Sequence, residues 1–230
     1  LVDTEPEIVA LLAEAGVAGD LAERLAAYGA LLLDANRRMN LTGAADAAAL
    51  VPHLLDSLTL VPLIAPGRTL VDIGSGGGFP GIPLAIATGV RVTLIEPIAK
   101  KAAFLRTALD ACGLEGEALA ERAEVAAREP RFREAFDLAT ARAVSRAPTV
   151  AELAMPFLRI GGRALLQRGA LDERERQAVE DAAPVLGGVV LEERALAGER
   201  RVLILEKRAA SSERFPRRNG VPEKRPLCWQ

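Results

Sequence analysis

Residues 71–81 read Val-Asp-Ile-Gly-Ser-Gly-Gly-Gly-Phe-Pro-Gly, and no other run constrains the chain as strongly. An apolar, β-branched stretch leads into it and a helix-prone stretch leads out. Strand, glycine turn and helix in that order form the opening unit of an α/β sheet that takes a ligand at the turn. Five glycines among residues 74–81 would cost stability with no return unless the backbone must turn sharply or be approached closely there.

The rest of the chain continues the alternation. Strands are predicted over 69–73, 91–95, 117–120, 136–140 and 162–166, with helices over 81–88, 100–112, 149–158 and 172–183. Two closing apolar runs, 189–191 and 201–205, predict an antiparallel hairpin at a sheet edge. The expected fold class is therefore α/β with a largely parallel sheet. Residues 5–64 instead keep helical spacing, interrupted at Gly16 and Gly19 and again at 40–43, where Thr42 and Asp46 are candidate caps. Three parts are expected: a helical region over 1–65, the α/β domain over 66–208, and a Pro-rich basic tail over 209–230.

Composition narrows the chemistry. Half the residues are apolar and 26% are charged, which excludes wholesale disorder. No uncharged apolar run is long enough to predict a membrane span. The acidic start lacks the basic residues of a secretory signal, and two cysteines without a pairing pattern make a reduced, cytosolic setting the default expectation. Two distant cysteines, Cys112 and Cys228, make no disulfide framework or zinc site. The single histidine, His53, argues against a Ser-His-Asp engine or a multi-histidine metal centre. The net charge of −2 gives no hint of nucleic acid until it is divided. Residues 1–60 carry three basic and nine acidic groups, whereas 206–230 carry seven basic and three acidic. A basic, proline-containing segment of that kind can track phosphates.

Two ligands compete for the glycine turn. Gly76, Gly78 and Gly81 match the dinucleotide spacing, which alone is weak. Asp72, Gly74, Gly76 and Gly78 match the loop of class I methyltransferases, and Asp72 has no place in the dinucleotide pattern. Pro80 and Pro83 remove two amide donors that a phosphate would use. S-adenosyl-L-methionine has no phosphate and loses nothing by it. Glu96 ends the following strand, where a carboxylate can accept ribose hydroxyls.

Several stretches together resemble the ribosomal RNA small subunit methyltransferase G family, also called glucose-inhibited division protein B. They are Asn36–Thr42, His53–Ser57, Val71–Pro83, Lys100-Lys101, Arg122–Glu124, Ala141–Ala143 and the tail Phe215–Leu227. The resemblance spans almost the whole chain, and its most specific parts are Gly78-Phe79-Pro80-Gly81-Ile82-Pro83 and the tail. It implies a class I fold: a mostly parallel seven-stranded sheet with one antiparallel edge strand and an N-terminal helical extension. It implies N7-methylation of one guanine in 16S rRNA, with S-adenosyl-L-methionine as donor and no metal. It also implies donor contacts at Gly74, Phe79, Ala123, Glu124 and Arg142. One departure lies at Thr140-Ala141-Arg142, where many members carry a serine before the arginine.

The residue inventory agrees with such a reaction. Guanine N7 has a free lone pair and no proton, so no general base is needed. No acid or base is therefore assigned, and Arg142 is a positioning candidate. The segment after the fourth strand, 141–146, has neither the cysteine used for cytosine C5 nor the Asn/Asp-Pro-Pro motif used for exocyclic amines. Candidate RNA contacts are Asn40, His53, Arg146, Arg217, Arg218, Lys224 and Arg225. Each has a plainer reading: Asn40 closes a turn, His53 is a satisfied structural histidine, and the tail cations solubilise. A small-molecule methyltransferase and a non-catalytic RNA-binding assembly factor remain as alternatives. The basic tail speaks against the first and the intact loop against the second.

Overall fold

The computed structural model describes residues 4–142, 145–196, 198 and 200–229. The N-terminal layer consists of α1 (Thr4–Glu14), α2 (Asp20–Met39) and α3 (Ala47–Leu58), closed by a 3-10 turn at Val61–Leu63. Ile8, Leu12, Leu25, Leu50 and Leu54 are fully buried in one core shared with the sheet. The break between α2 and α3 is held chiefly by one side chain. Asn36 accepts from the amides of Leu41 and Thr42 and donates to the carbonyls of Thr42 and Ala44. Asn40, in the left-handed conformation at φ 52°, ends α2. Asp46 caps α3 by accepting from the Ala49 amide at 2.9 Å.

The second half follows the alternation expected of it. The strands are β1 (Thr69–Ile73), β2 (Arg91–Ile95), β3 (Gly116–Leu119), β4 (Phe136–Arg142), β5 (Leu158–Arg168), β6 (Gly188–Ala195) and β7 (Arg201–Lys207). The helices are α4 (Gly81–Thr88), α5 (Ala99–Ala111), α6 (Ala123–Ala126), α7 (Ala147–Ala154), α8 (Glu173–Val185) and α9 (Val221–Lys224). One seven-stranded sheet results, in the order β3-β2-β1-β4-β5-β7-β6. All pairings from β3 to β5 are parallel, while β7 is antiparallel to both β5 and β6. The reversed strand thus sits one in from the sheet's end. Strand order reverses between β1 and β4, and a ligand crevice is expected beyond their carboxyl ends.

Two boundaries differ from the sequence reading. Helix α7 stops at Ala154, because Pro156 supplies no amide to continue it, and β5 starts at Leu158 inside the stretch expected to be helical. The tail after β7 is irregular but firmly packed. Arg133 donates to the carbonyls of Ser211, Ser212 and Phe215, and Arg128 to those of Glu213 and Pro216. Arg217 forms a two-pronged ion pair with Glu152 of α7, whose carboxylate is fully buried. The Arg217 amide also donates to it at 2.8 Å.

A buried carboxylate stripped of its cation is strongly destabilising. Arg217→Ala should cost roughly 3 kcal/mol in urea unfolding. Arg218→Ala, at an exposed neighbour, should stay within about 0.5 kcal/mol of the parent. Equal midpoints for the two variants would contradict this assignment.

Candidate active site

The loop between β1 and α4 folds back on itself. Gly74, Gly76 and Gly78 have φ of 68°, 56° and 109°. Gly78 shows why a side chain is excluded: a Cβ there would lie 2.7 Å from Ile82 Cδ1 and 2.8 Å from the Tyr28 hydroxyl. The amides of Gly74 and Ser75 both donate to the Ile95 carbonyl of β2. Those of Gly78 and Phe79 turn back to Ser75, and that of Ile82 donates to Gly78. These last amides are used within the loop, and Pro80 and Pro83 offer none. The start of α4 is therefore not a phosphate cradle, which disfavours the dinucleotide alternative.

Two buried polar groups hold the loop. From the helical layer, the Tyr28 hydroxyl donates to the Gly77 carbonyl at 2.6 Å. From β1, the Asp72 carboxylate accepts from Thr140 of β4 at 2.8 Å, and its carbonyl accepts from Ser75. Asp72 has no exposed surface. Its expected role as a donor contact is corrected on that ground: it acts from beneath the loop as a positioning residue. Burial pushes its pKa up to about 6, against the opposing hydrogen bonds from Thr140 and Ser75.

Beside the loop lies a cavity of about 130 Å³ lined by Gly74, Ile95, Pro97, Ala123, Glu124 and Pro222. Glu96, between the lining residues Ile95 and Pro97, accepts from the amides of Gly76 (3.0 Å) and Ile98 (2.9 Å). Ala123 and Glu124 occupy the first turn of α6, where backbone amides have no partner within the helix. Glu124 also accepts from the Gly220 amide, and Thr149 donates to the Pro222 carbonyl. The tail thereby forms one wall of the cavity.

A second cluster adjoins the loop. The Arg142 guanidinium lies 4.6 Å from the centre of the Phe79 ring, which Tyr28 and His53 flank at 5.8 and 5.9 Å. Arg142 also reaches Asp56 of α3 at 3.4 Å. Asp56 accepts from Gln167 at 3.0 Å. Burial lowers the pKa of Arg142, and Asp56 opposes the shift. Burial, then the Arg142 cation, lowers that of His53, so the imidazole is neutral at pH 7.

Known proteins resemble this chain in sequence and in fold. The sequence pattern of GidB, rRNA small subunit methyltransferase G, matches residues 21–204. The chain belongs to this family. It is 46% identical over 212 residues to ribosomal RNA small subunit methyltransferase G of Rubrobacter xylanophilus, covering 86% of this chain and 81% of the relative. The Pelotomaculum thermopropionicum relative is 40% identical, covering 87% and 88%. Among solved structures, mitomycin 7-O-methyltransferase MmcR aligns with a TM-score of 0.59 at 16% identity, covering 89% of this chain and 67% of that one. A ribosomal protein L11 methylase from Lactobacillus delbrueckii subsp. bulgaricus aligns at 0.53 and 15%, covering 69% and 80%. These two similarities establish the fold alone. The chain is thus an S-adenosylmethionine-dependent methyltransferase of small-subunit rRNA.

The family member's candidate residues divide in space. Gly74, Ala123 and Glu124 line the cavity, and the Gly76 amide donates to Glu96, which stands between the lining residues Ile95 and Pro97. Gly78 lets the loop pass Tyr28, and Phe79 and Arg142 stack together in the second cluster with His53. Asn40 is a helix terminus and is not among the residues that line the cavity. Arg217, expected as an RNA contact, turns inward instead, with Nε and Nη2 donating to Glu152 and Nη2 also to the Arg225 carbonyl. Arg146 stacks on Trp229, and Arg218, Lys224 and Arg225 are exposed. Tyr28, Gln167 and Glu152 were not singled out in the sequence. A lone tyrosine on a helix and a glutamine in a strand carry no local signal of a distant partner.

The buried Asp72 has a pH signature. Its folded pKa of about 6 exceeds the ordinary value of 3.8, so the folded state holds the proton more tightly. Its contribution is best below about pH 4 and worsens as pH rises through 6. Asp72→Asn keeps an acceptor for Thr140 and removes the titration. Its stability relative to the parent should improve by up to ~3 kcal/mol between pH 4 and 7, and stay flat above. Urea titrations at several pH values test this, and a pH-independent difference would refute it.

Proposed function

We propose that the protein methylates N7 of a guanine in 16S rRNA, working in the cytoplasm on rRNA or a small-subunit particle. The observation that supports the reading is the cavity beside the glycine loop, whose lining among the described residues holds no histidine, lysine or cysteine and whose Glu124 carboxylate already accepts from the Gly220 amide. Such a site suits an acceptor atom that already has a free lone pair.

The residues fit the methyl donor. Glu96, between the lining residues Ile95 and Pro97, accepts one amide on each carboxylate oxygen and keeps a further lone pair on each for ribose hydroxyls, and the first-turn amides of Ala123 and Glu124 suit the acceptor edge of an adenine. Gly74 lets a ligand lie against the backbone at the end of β1. When bound, S-adenosylmethionine supplies an electrophilic methyl group. The chain's own task is orientation. Phe79, locked by Tyr28, His53 and Arg142, is a rigid wall between loop and helical layer. Positive charge develops on the guanine as N7 reacts. Asp56, paired with Arg142 and 3.8 Å from Arg200, offsets the local cations so that this charge is tolerated.

Exposed Arg218, Lys224 and Arg225 lie on a tail that is one wall of the donor cavity, and they suit the RNA backbone.

Transfer of labelled methyl to 16S rRNA, followed by mapping of the modified base, tests the reaction. Label at guanine N7 is expected, and label on an exocyclic amine would overturn it. Gly74→Val should abolish calorimetric donor binding, since the side chain would fill the approach to the β1 end. The triple change Arg218→Ala, Lys224→Ala, Arg225→Ala should weaken RNA binding and flatten its salt dependence by about two to three in log–log slope. An unaltered slope would remove the tail from the RNA interface.

A further inference from the structure

Among the described residues, three buried side-chain atoms lack a hydrogen-bond partner: Asp72 Oδ2, Gln167 Oε1 and Arg168 Nε. Two of the three belong to consecutive residues at the carboxyl end of β5. An unpaired buried polar group costs about 1–3 kcal/mol. Two such groups side by side therefore ask for an explanation.

Both residues line one cavity of about 230 Å³, together with Ala141, Ser145, Leu166 and Arg200. This cavity stands at the ends of β4 and β5, and Ser145 is common to its wall and that of the donor cavity. Gln167 Nε2 and Arg168 Nη2 are already committed. Gln167 Nε2 donates to the carbonyl and carboxylate of Asp56 and to Thr59. That donor pattern fixes the amide orientation and leaves Oε1 as the free acceptor. Arg168 Nη2 pairs with Glu175 at 2.6 Å, and Glu175 also accepts from the Ala147 amide. Nε–H remains as the free donor.

We propose that this cavity is the base-accepting subsite, and that Gln167 and Arg168 select guanine in it. The inference deepens the N7 reading given above and rests on it. In a helical RNA, N7 faces a deep, narrow groove that side chains do not enter, so the target base has to be unstacked and received singly. Guanine offers an acceptor at O6, beside N7, and a donor at N1–H, beside O6. One free Nε–H and one free Oε1 are the complementary set. Adenine offers the opposite pattern, an amino donor and a ring-nitrogen acceptor, and would leave both protein groups unsatisfied. Asp56 ties the subsite to the second cluster, since it holds both Gln167 and Arg142.

The test uses the full chain and rRNA substrates carrying either guanine or 2-aminopurine at the target. 2-Aminopurine keeps N7 but lacks O6 and N1–H. Gln167→Lys retains a donor toward Asp56 and removes the acceptor. Arg168→Lys retains a cation toward Glu175 and removes Nε–H. In each variant the guanine-to-aminopurine ratio of kcat/KM should fall at least tenfold, with calorimetric donor affinity unchanged. A purely structural role would slow both substrates alike and leave the ratio unmoved. Ratios within twofold of the parent in both variants, or loss of donor binding in a folded variant, would overturn the subsite. Should one variant not fold, the other decides. Absence of N7 label from the parent enzyme on the guanine substrate would instead refute the reaction itself.

Discussion

The turn after β1 keeps its shape because two buried polar side chains grip it from opposite sides. Tyr28 reaches from the helical layer to the Gly77 carbonyl, and Asp72 anchors the strand end through Thr140 and Ser75. Tyr28 is satisfied within the protein, whereas Asp72 bonds Thr140 through Oδ1 and leaves Oδ2 buried without a partner. The grip fixes the distance between helical layer and sheet, and that distance sets where Phe79 and Arg142 meet. The cluster around Asp56 and the cavity beside Gly74 lie on either side of this one turn. A loop free to move would leave neither in register with the other.

The tail belongs to the same construction. Its cations suggested a segment bound to RNA, but several of the interactions that fasten it come from arginines in the body. Arg128 and Arg133 hold its carbonyls, while Arg217 points inward to Glu152. The tail's last stretch is held by stacking of Arg146 and Arg174 on Trp229. What remains outward is a smaller set, Arg218, Lys224 and Arg225. A segment that both walls the donor cavity and presents charge couples the small ligand's site to the large ligand's surface.

Much of the site was visible in the residue order. The glycine loop, Glu96 and the segment 123–124 lie at strand ends, and parallel α/β topology sends all strand ends in question to one edge. The alternation of strands and helices was equally plain, apart from the stretch where Pro156 turns a helix into the start of β5. Asp72 was legible as important but not as buried. The sequence pattern marks that it precedes the loop; only packing shows that its carboxylate faces Thr140 rather than a ligand.

By itself, then, the sequence determined the class of fold, the sharp glycine turn after the first strand, and the family. Those depend on local spacing and on glycines whose backbone freedom no other residue supplies. Tertiary structure alone decided that Tyr28 meets Gly77, that Glu152 captures Arg217, and that Gln167 and Arg168 are left with unpaired atoms beside one cavity. Tyr28 and Gly77 are 49 residues apart, and Glu152 and Arg217 are 65 apart. Hydrogen-bond satisfaction in a buried site is a property of all the groups that surround it, and those groups come together only when the chain has folded.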